Sequence, residues 1–403
     1  MSGRRRAVCW SDLPPELLSK IAECLDSRAH IQQFRAVCKL WARAISPSVL
    51  TSKNILSPLF PYPFSHPSPW LDSPTQSQSP VLVSTCVFLL RSTLDPKLPP
   101  WLFAAEELHP GKLFVSKLLS PIAIKKLPTD FPRTLDFSYI QVSELAVFHR
   151  VRFADDPTDM FTKSHLSDFN HNRVVLFVHP SKISCPTIGI GDCTAMVLHN
   201  NGSLSAIRLK DGSELRVSLM MMKKFDDIVN FKGKIYAINR KGRAYMIHYY
   251  NTLSLTNITE ETLVEDKRKR LAVSSDQQEL FLIYRWCRNK TSGAVGFNIY
   301  KLNEQESKWE RVKGFGDDRI LFVTFDGCFF ASANDFQGWK GNCIVFYSAC
   351  FASYSSFLTK RDRNLSLLVY NLENDDCQYL ASYQSQLFWP PPTWLSSHAS
   401  STI

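Results

Sequence analysis

Few residue groupings in this 403-residue chain have the types and spacing that chemistry needs. His165, His171, His179 and Cys185 are metal-ligand types lying near one another, but their spacing matches no zinc finger, ribbon or HExxH helix, so ordinary loop and strand positions are expected. Gly189-x-Gly191 and Gly314-x-Gly316 lack both the third glycine of a dinucleotide turn and a P-loop Lys-Ser/Thr, and they read as strand-end turns. No Gly-x-Ser-x-Gly elbow occurs, and no cysteine can be paired with a histidine from sequence alone. Asp155, Asp156 and Asp159 flank Pro157 as a solvated acidic loop. The eleven cysteines have no CxxC pair or regular spacing, and no signal peptide precedes them, so they read as reduced core thiols in a cytosolic or nuclear protein. The expectation is a protein with no catalytic residues, no cofactor and no metal.

The cations offer a binding reading instead. The formal net charge is +10, which favours an acidic partner. Nucleic acid is not expected, because the lysines and arginines spread over several loops without interleaved aromatics. Arg4 to Arg6 form a basic tail, and Lys267, Arg268, Lys269 and Arg270 form a tetrabasic run, read as a solvated loop with nuclear import as the alternative. Arg240, Lys241 and Arg243 surround Gly242 on one turn and are the candidate target-binding cluster. Lys232 and Lys234 sit on the preceding turn of the same meander, which places them at the opposite ends of the strands. The uncharged run from Gly341 to Thr359 is too rich in serine for a membrane span and reads as a buried strand followed by a loop.

Two kinds of element must carry these residues. From Trp10 to Ile45 the apolar residues recur at helical spacing. Leu13, Leu17, Ile21 and Leu25 form a stripe that Leu18 and Ala22 widen, with Ser11 or Asp12 as cap and Pro14 and Pro15 in the first turn. Val37, Leu40, Trp41, Ala44 and Ile45 repeat the spacing in a third helix. So small a unit exposes too much apolar surface to stand alone and needs a partner. Residues 51–80 are a Pro/Ser-rich connector whose prolines exclude a helix, though Phe60, Tyr62, Phe64 and Trp70 suggest that it lies along the next domain.

Beyond it the period changes to two. Thr194–His199, Leu204–Leu209 and the alternating Leu215, Val217 and Leu219 are joined by Asn201-Gly202 and Asp211-Gly212 as an antiparallel meander. The pattern returns around Lys232-Gly233, Lys241-Gly242 and Asp326-Gly327, and further strands are expected at 279–284, 295–302, 342–347 and 365–372.

The pattern Trp10-Ser-x-Leu13-Pro14-x-Glu16-Leu17-Leu18-x-x-Ile21, followed by Phe34-Arg35-x-Val37-Cys38-Lys39-x-Trp41, resembles an F-box, with Ala42 separating Trp41 from Arg43 where many members have Trp-Arg directly. Asn230-x-Lys232-Gly233-Lys234-x-Tyr236, Val295-Gly296-Phe297-x-Ile299-Tyr300-Lys301-Leu302 with Trp309, Ser332-Ala333-x-Asp335-Phe336 and Pro390-Pro391-Pro392-x-Trp394 are similar to the plant F-box proteins carrying a KIB-type beta-propeller. Residues 81–110 carry little of that pattern.

The resemblance implies a basic tail at 1–9, an all-α F-box at 10–50, an all-β propeller of six or seven blades at 81–395 and a tail at 396–403. It implies that Leu13, Pro14, Leu17, Leu18, Ile21, Val37, Cys38 and Trp41 contact an SKP-family adaptor of a cullin-RING ubiquitin ligase, with the propeller holding a target protein in the nucleus or cytoplasm and no membrane involved. The alternatives are a propeller enzyme, with carboxylates or histidines converging on the axis, and a nucleic-acid or chromatin binder, with its basic loops on one face.

Overall fold

The computed structural model describes residues 13–23, 34, 37, 41 and 43, and then 79–109, 112–116, 118, 131, 139–154, 173–178, 193–199, 201–209, 214–216, 224–249, 253–261, 268–287, 295–351, 367–380 and 387–397. The expected connector therefore lies outside the described residues up to position 78, and the first strand begins at Ser79, just inside the connector's expected end.

At the amino-terminal end, helix α1 spans Pro15–Glu23. A proline in the first turn forfeits no hydrogen bond, since those amides have no partner inside the helix. The Pro14 carbonyl accepts from the amides of both Leu17 and Leu18, at 3.1 Å each. The helix buries one face: Leu18 and Ala22 are fully enclosed, as is nearly all of Phe34, whose ring lies 4.5 Å from that of Trp41.

The rest of the described chain is mainly sheet, with short helical turns at Ala333–Asp335, Ser348–Phe351 and Trp394–Ser397. Strands β1 (Ser79–Ser92), β2 (Trp101–His109), β3 (Lys112–Ser116), β4 (Ile140–Ala154), β5 (Arg173–Val178), β6 (Cys193–Leu198), β7 (Leu204–Arg208) and β8 (Glu214–Arg216) form one sheet in the order β3-β2-β1-β4-β5-β6-β7-β8. Its halves join at a single paired position, His149 with Val174. A second sheet, β12-β11-β10-β9, uses β9 (Phe225–Phe231), β10 (Lys234–Asn239), β11 (Ala244–Tyr249) and β12 (Leu253–Asn257). The third, β13-β14-β15-β16, uses β13 (Lys269–Val273), β14 (Leu280–Cys287), β15 (Val295–Asn303) and β16 (Lys308–Val312). The fourth, β18-β17-β19-β20-β21, uses β17 (Arg319–Val323), β18 (Cys328–Ser332), β19 (Cys343–Tyr347), β20 (Leu367–Asn371) and β21 (Asp376–Tyr379).

The described strands thus form four sheets in a propeller-like arrangement, which corrects the expected six or seven blades. Dividing chain length by a typical repeat overcounts here, because β1 and β4 are long and the first four strands occupy residues 79–154, whereas β9 to β12 need only 225–257. The four sheets contribute five central strands, which close a ring: β4 packs beside β5, β5 on β9, β9 on β13, β13 on β18 and β18 on β4. Closure of this kind shelters the inner edges that open sheets leave exposed.

Apolar clusters fill the gaps between sheets. Leu82, Val174, Ala195 and Ile207 join the two halves of the first sheet. Met196, Phe225, Ile235 and Tyr245 join it to the second, Val229, Tyr236, Leu271 and Leu282 join the second to the third, and Phe281, Phe297, Phe346, Phe322 and Val87 carry the core through the fourth sheet back to the first. Because neighbours cover both faces, β6, β9, β10 and β19 are buried almost throughout rather than alternately.

The expected turns are present at Gly202, Lys232-Gly233, Gly242 and Gly327, while Asp211-Gly212 and residues 217–223 lie outside the described residues. At Lys232-Gly233 both residues have positive φ, 51° and 74°, the geometry whose twist matches a two-residue hairpin. Pure antiparallel pairing does not hold throughout. β19 pairs parallel with β17, because β18 already occupies the other edge of β17 and the chain crosses over through residues 333–342.

The carboxy-terminal end clasps the first sheet. The Leu387 carbonyl accepts from the Leu102 amide at 2.8 Å, and the Trp394 indole donates to the Pro99 carbonyl at 2.9 Å. Trp394 and Leu395 pack with Trp101 and Phe103.

Candidate functional site

Two surfaces can bind partners, and the first is on the amino-terminal module. Leu17 and Ile21, four residues apart and hence neighbours on one face of α1, are 47% and 37% exposed, and Val37 is 54% exposed. Apolar side chains held in solvent add nothing to a monomer's stability, so among the described residues these three are open to a partner. Pro14 is exposed, Leu13 and Trp41 are partly buried, and Cys38 lies outside the described residues. Leu18 departs from expectation: at 0% exposure it belongs to the module's interior, because the helical turn sends it to the face shared with Ala22.

The second surface is the ring axis. A cavity of about 440 Å³ lies there, and each central strand contributes to its wall: Val147 from β4, Val175 from β5, Val229 from β9, Val273 from β13 and Phe330 from β18. Its polar lining includes Glu144, His149, Arg173, Asn230, Gln277 and Asp326. Arg173 is ion-paired with the buried carboxylate of Asp227, whose second oxygen accepts from the Leu271 amide at 2.9 Å. Asn230 lies three residues farther along β9 from Asp227 and also lines the cavity. Arg150 pairs with the buried Glu106 and reaches Asp326 at 3.7 Å. His149 Nδ1 lies 2.9 Å from Ser84 Oγ, and burial pulls its pKa down to about 4, so the ring is neutral at ordinary pH. Beneath the cavity, burial pushes the Cys328 thiol up to about 12, which keeps it protonated and unreactive.

The basic groups are placed differently from the sequence reading. Arg268, Lys269 and Arg270 are buried, not a solvated loop, and Lys267 lies outside the described residues. Lys269 is at 3.8 Å from Asp226, and its ammonium donates to the Arg240 carbonyl. Arg270 donates to the carbonyls of Cys350, at 3.2 Å, and Thr324, at 3.3 Å. Burial raises the Asp226 carboxyl above its usual range, against the pull of Lys269. These cations are matched inside the ring and lend nothing to the surface. Arg240, Lys241 and Arg243 do share one turn, but Lys241 lies 3.4 Å from Glu261 and Arg243 lies 3.5 Å from Glu260. Lys232 and Lys234 stand at the opposite end of β10, with Lys232 paired to Glu304.

His165, His171, His179, Cys185, Gly189, Gly191, Asp155, Asp156 and Asp159 lie outside the described residues. Gly314 and Gly316 do form the turn between β16 and β17. The run beginning at Gly341 gives the buried strand β19 and then a short helical turn, with 352–359 outside the described residues. No helix among the described residues is long and apolar enough to cross a membrane. Sequence reasoning missed the axial residues Glu144, His149, Arg173, Asp227 and Asp326. The available signal was Asp226-Asp227 inside the otherwise apolar strand FDDIVNF, since carboxylates buried in a strand require cations to meet them.

Comparison with known proteins agrees with this architecture. Residues 87–372 match the family described as KIB1-4 beta-propeller, and residues 10–53 match the F-box-like description. The chain is 26% identical over 419 residues to F-box protein SKIP23 of Arabidopsis thaliana, covering 97% of both chains. It is 25% identical to F-box protein At2g17036 of the same plant, covering 97% of this chain and 96% of the relative, and 28% identical to F-box protein At4g35733, covering 84% and 89%.

Proposed function

The chain belongs to the KIB1-4 beta-propeller family and carries an F-box-like module, and from that premise we propose that it is the substrate receptor of an SKP-cullin-F-box ubiquitin ligase. The amino-terminal module docks on the SKP-family adaptor, and the propeller holds a target protein. The receptor performs no bond chemistry. By holding target lysines beside a ubiquitin-charged enzyme it turns a bimolecular encounter into an effectively intramolecular one. The observation that carries this reading is the exposed pair Leu17 and Ile21, one turn apart on α1, whose other face buries Leu18 and Ala22, with Val37 exposed as well.

The alternatives have less support. The axis does gather Glu144, His149 and Asp326, as an enzyme would require, but the neighbouring Arg150 bridges Glu106 and Asp326, and the histidine is held neutral. A nucleic-acid surface needs cations that face outward, whereas Arg268, Lys269 and Arg270 are interior.

The test is adaptor co-purification with the double variant Leu17→Ser and Ile21→Ser. Because both side chains are exposed, the fold should melt within about 0.5 kcal/mol per site of the parent, while adaptor binding is lost. Undiminished adaptor binding refutes the assignment.

A further inference from the structure

We propose that the axial cavity is the target-recognition pocket and that it takes a single uncharged aromatic side chain projected by a segment of the target protein. This rests on reading the propeller as the target-holding domain. Five central strands each place one apolar residue in the wall, Val147, Val175, Val229, Val273 and Phe330, and Val147 remains 40% exposed to the cavity. An apolar residue standing exposed on an inner strand of a closed ring is a hydrophobic surface left open among the described residues.

The polar groups select the occupant. Asn230, Ser275 and Gln277 line the cavity, are exposed and uncharged, and supply donors and acceptors suited to the peptide groups flanking an inserted side chain. Charge is not invited. Arg173 is already engaged by Asp227, Asp326 faces Arg150 at 3.7 Å, and His149 is neutral. A volume of about 440 Å³ is in the lower part of the roughly 300–1,000 Å³ range of pockets that enclose ligands. An apolar residue from each of five strands, with exposed uncharged hydrogen-bonding groups among them, suits an aromatic anchor and the peptide groups beside it. The pocket therefore assigns recognition to the axis rather than to the Arg240 turn, where Lys241 and Arg243 already have acidic partners.

The experiment uses the full chain and libraries of nine-residue peptides with randomised flanks and Trp, Leu, Ala or Asp fixed at the centre, with free indole as a further probe. Trp-centred peptides are expected to bind at least about thirtyfold more tightly than Ala-centred or Asp-centred ones. Val147→Trp and Asn230→Trp, which fill the cavity from its lining, should each abolish that difference. Thermal melts identify any variant that fails to fold, and the two substitutions occupy different strands, so one remains informative. Equal binding of the Trp and Ala libraries overturns the proposal, as does a preference that survives both substitutions. Indole binding as tightly as the Trp peptides also overturns it, because the site would then be a small-molecule pocket. Adaptor co-purification measured on the same samples reports separately on the amino-terminal module, so failure of this pocket and failure of the receptor reading are distinguishable.

Discussion

Replacing Asp227 with Ala would show whether the central ring depends on its buried charges. Asp227 is fully enclosed, pairs with Arg173 and accepts from the Leu271 and Ile228 amides, so one substitution strands a guanidinium that is itself nearly buried and takes an acceptor from two strand amides. Breaking a buried pair by removing one partner costs about 3–5 kcal/mol. Both amides lie within the same site, so their own penalty of about 1–3 kcal/mol does not simply add. We expect a loss of about 4 kcal/mol. A domain of about 300 residues unfolds with an entropy near 0.6 kcal/mol per kelvin, so the melting temperature should fall by about 6 °C. Removing both charges with Asp227→Leu and Arg173→Met leaves the Leu271 and Ile228 amides without the carboxylate but strands no charge, and the loss should shrink to about 1–3 kcal/mol. Circular-dichroism melts of the parent, both single variants and the double variant complete the cycle. The charge-pinned ring is refuted if Asp227→Ala melts within about 1 °C of the parent, or if the double variant loses as much as the two single variants combined.

Two further perturbations probe other parts of the frame. His149 has a folded pKa of about 4 against an ordinary 6.5, so its contribution is complete above about 6.5 and is lost as pH falls toward 4. The loss is at most about 3 kcal/mol, and in denaturant titrations between pH 7 and 4 His149→Asn should remove that part of the slope; an identical pH profile in parent and variant excludes the imidazole as its source. Trp394→Ala should destabilise the propeller by about 3–5 kcal/mol, because the indole is buried against the first sheet and bonded to the Pro99 carbonyl, and a melt unchanged by the substitution means that the carboxy-terminal clasp is dispensable.

Much of this molecule was written locally. The spacing of Leu13, Leu17 and Ile21 after a proline turn specifies a helix with an apolar stripe, and α1 forms there. Glycine turns with alternating strands placed β6, β7, β9, β10, β11, β17 and β18 within a residue or a few of their ends, because turn geometry and strand period are properties of adjacent residues. What the chain leaves open is whatever depends on which surfaces meet. Leu17 and Leu18 are the same residue type side by side, yet one faces solvent and the other the interior, and only the packing of the helices decides which. Arg268, Lys269 and Arg270 read as a solvated loop because charge normally seeks water. Lys269 and Arg270 instead open an interior strand, with Arg268 just before it, because Asp226 and the carbonyls of Arg240, Thr324 and Cys350, some far away in sequence, arrive to meet them. The strand pairings of residues 81–110, the number of sheets and the axial cavity are likewise decided only at closure of the ring. They depend on contacts between segments far beyond one turn or hairpin, from Ser79 with Ala154 to Leu102 with Leu387, and no local period encodes those.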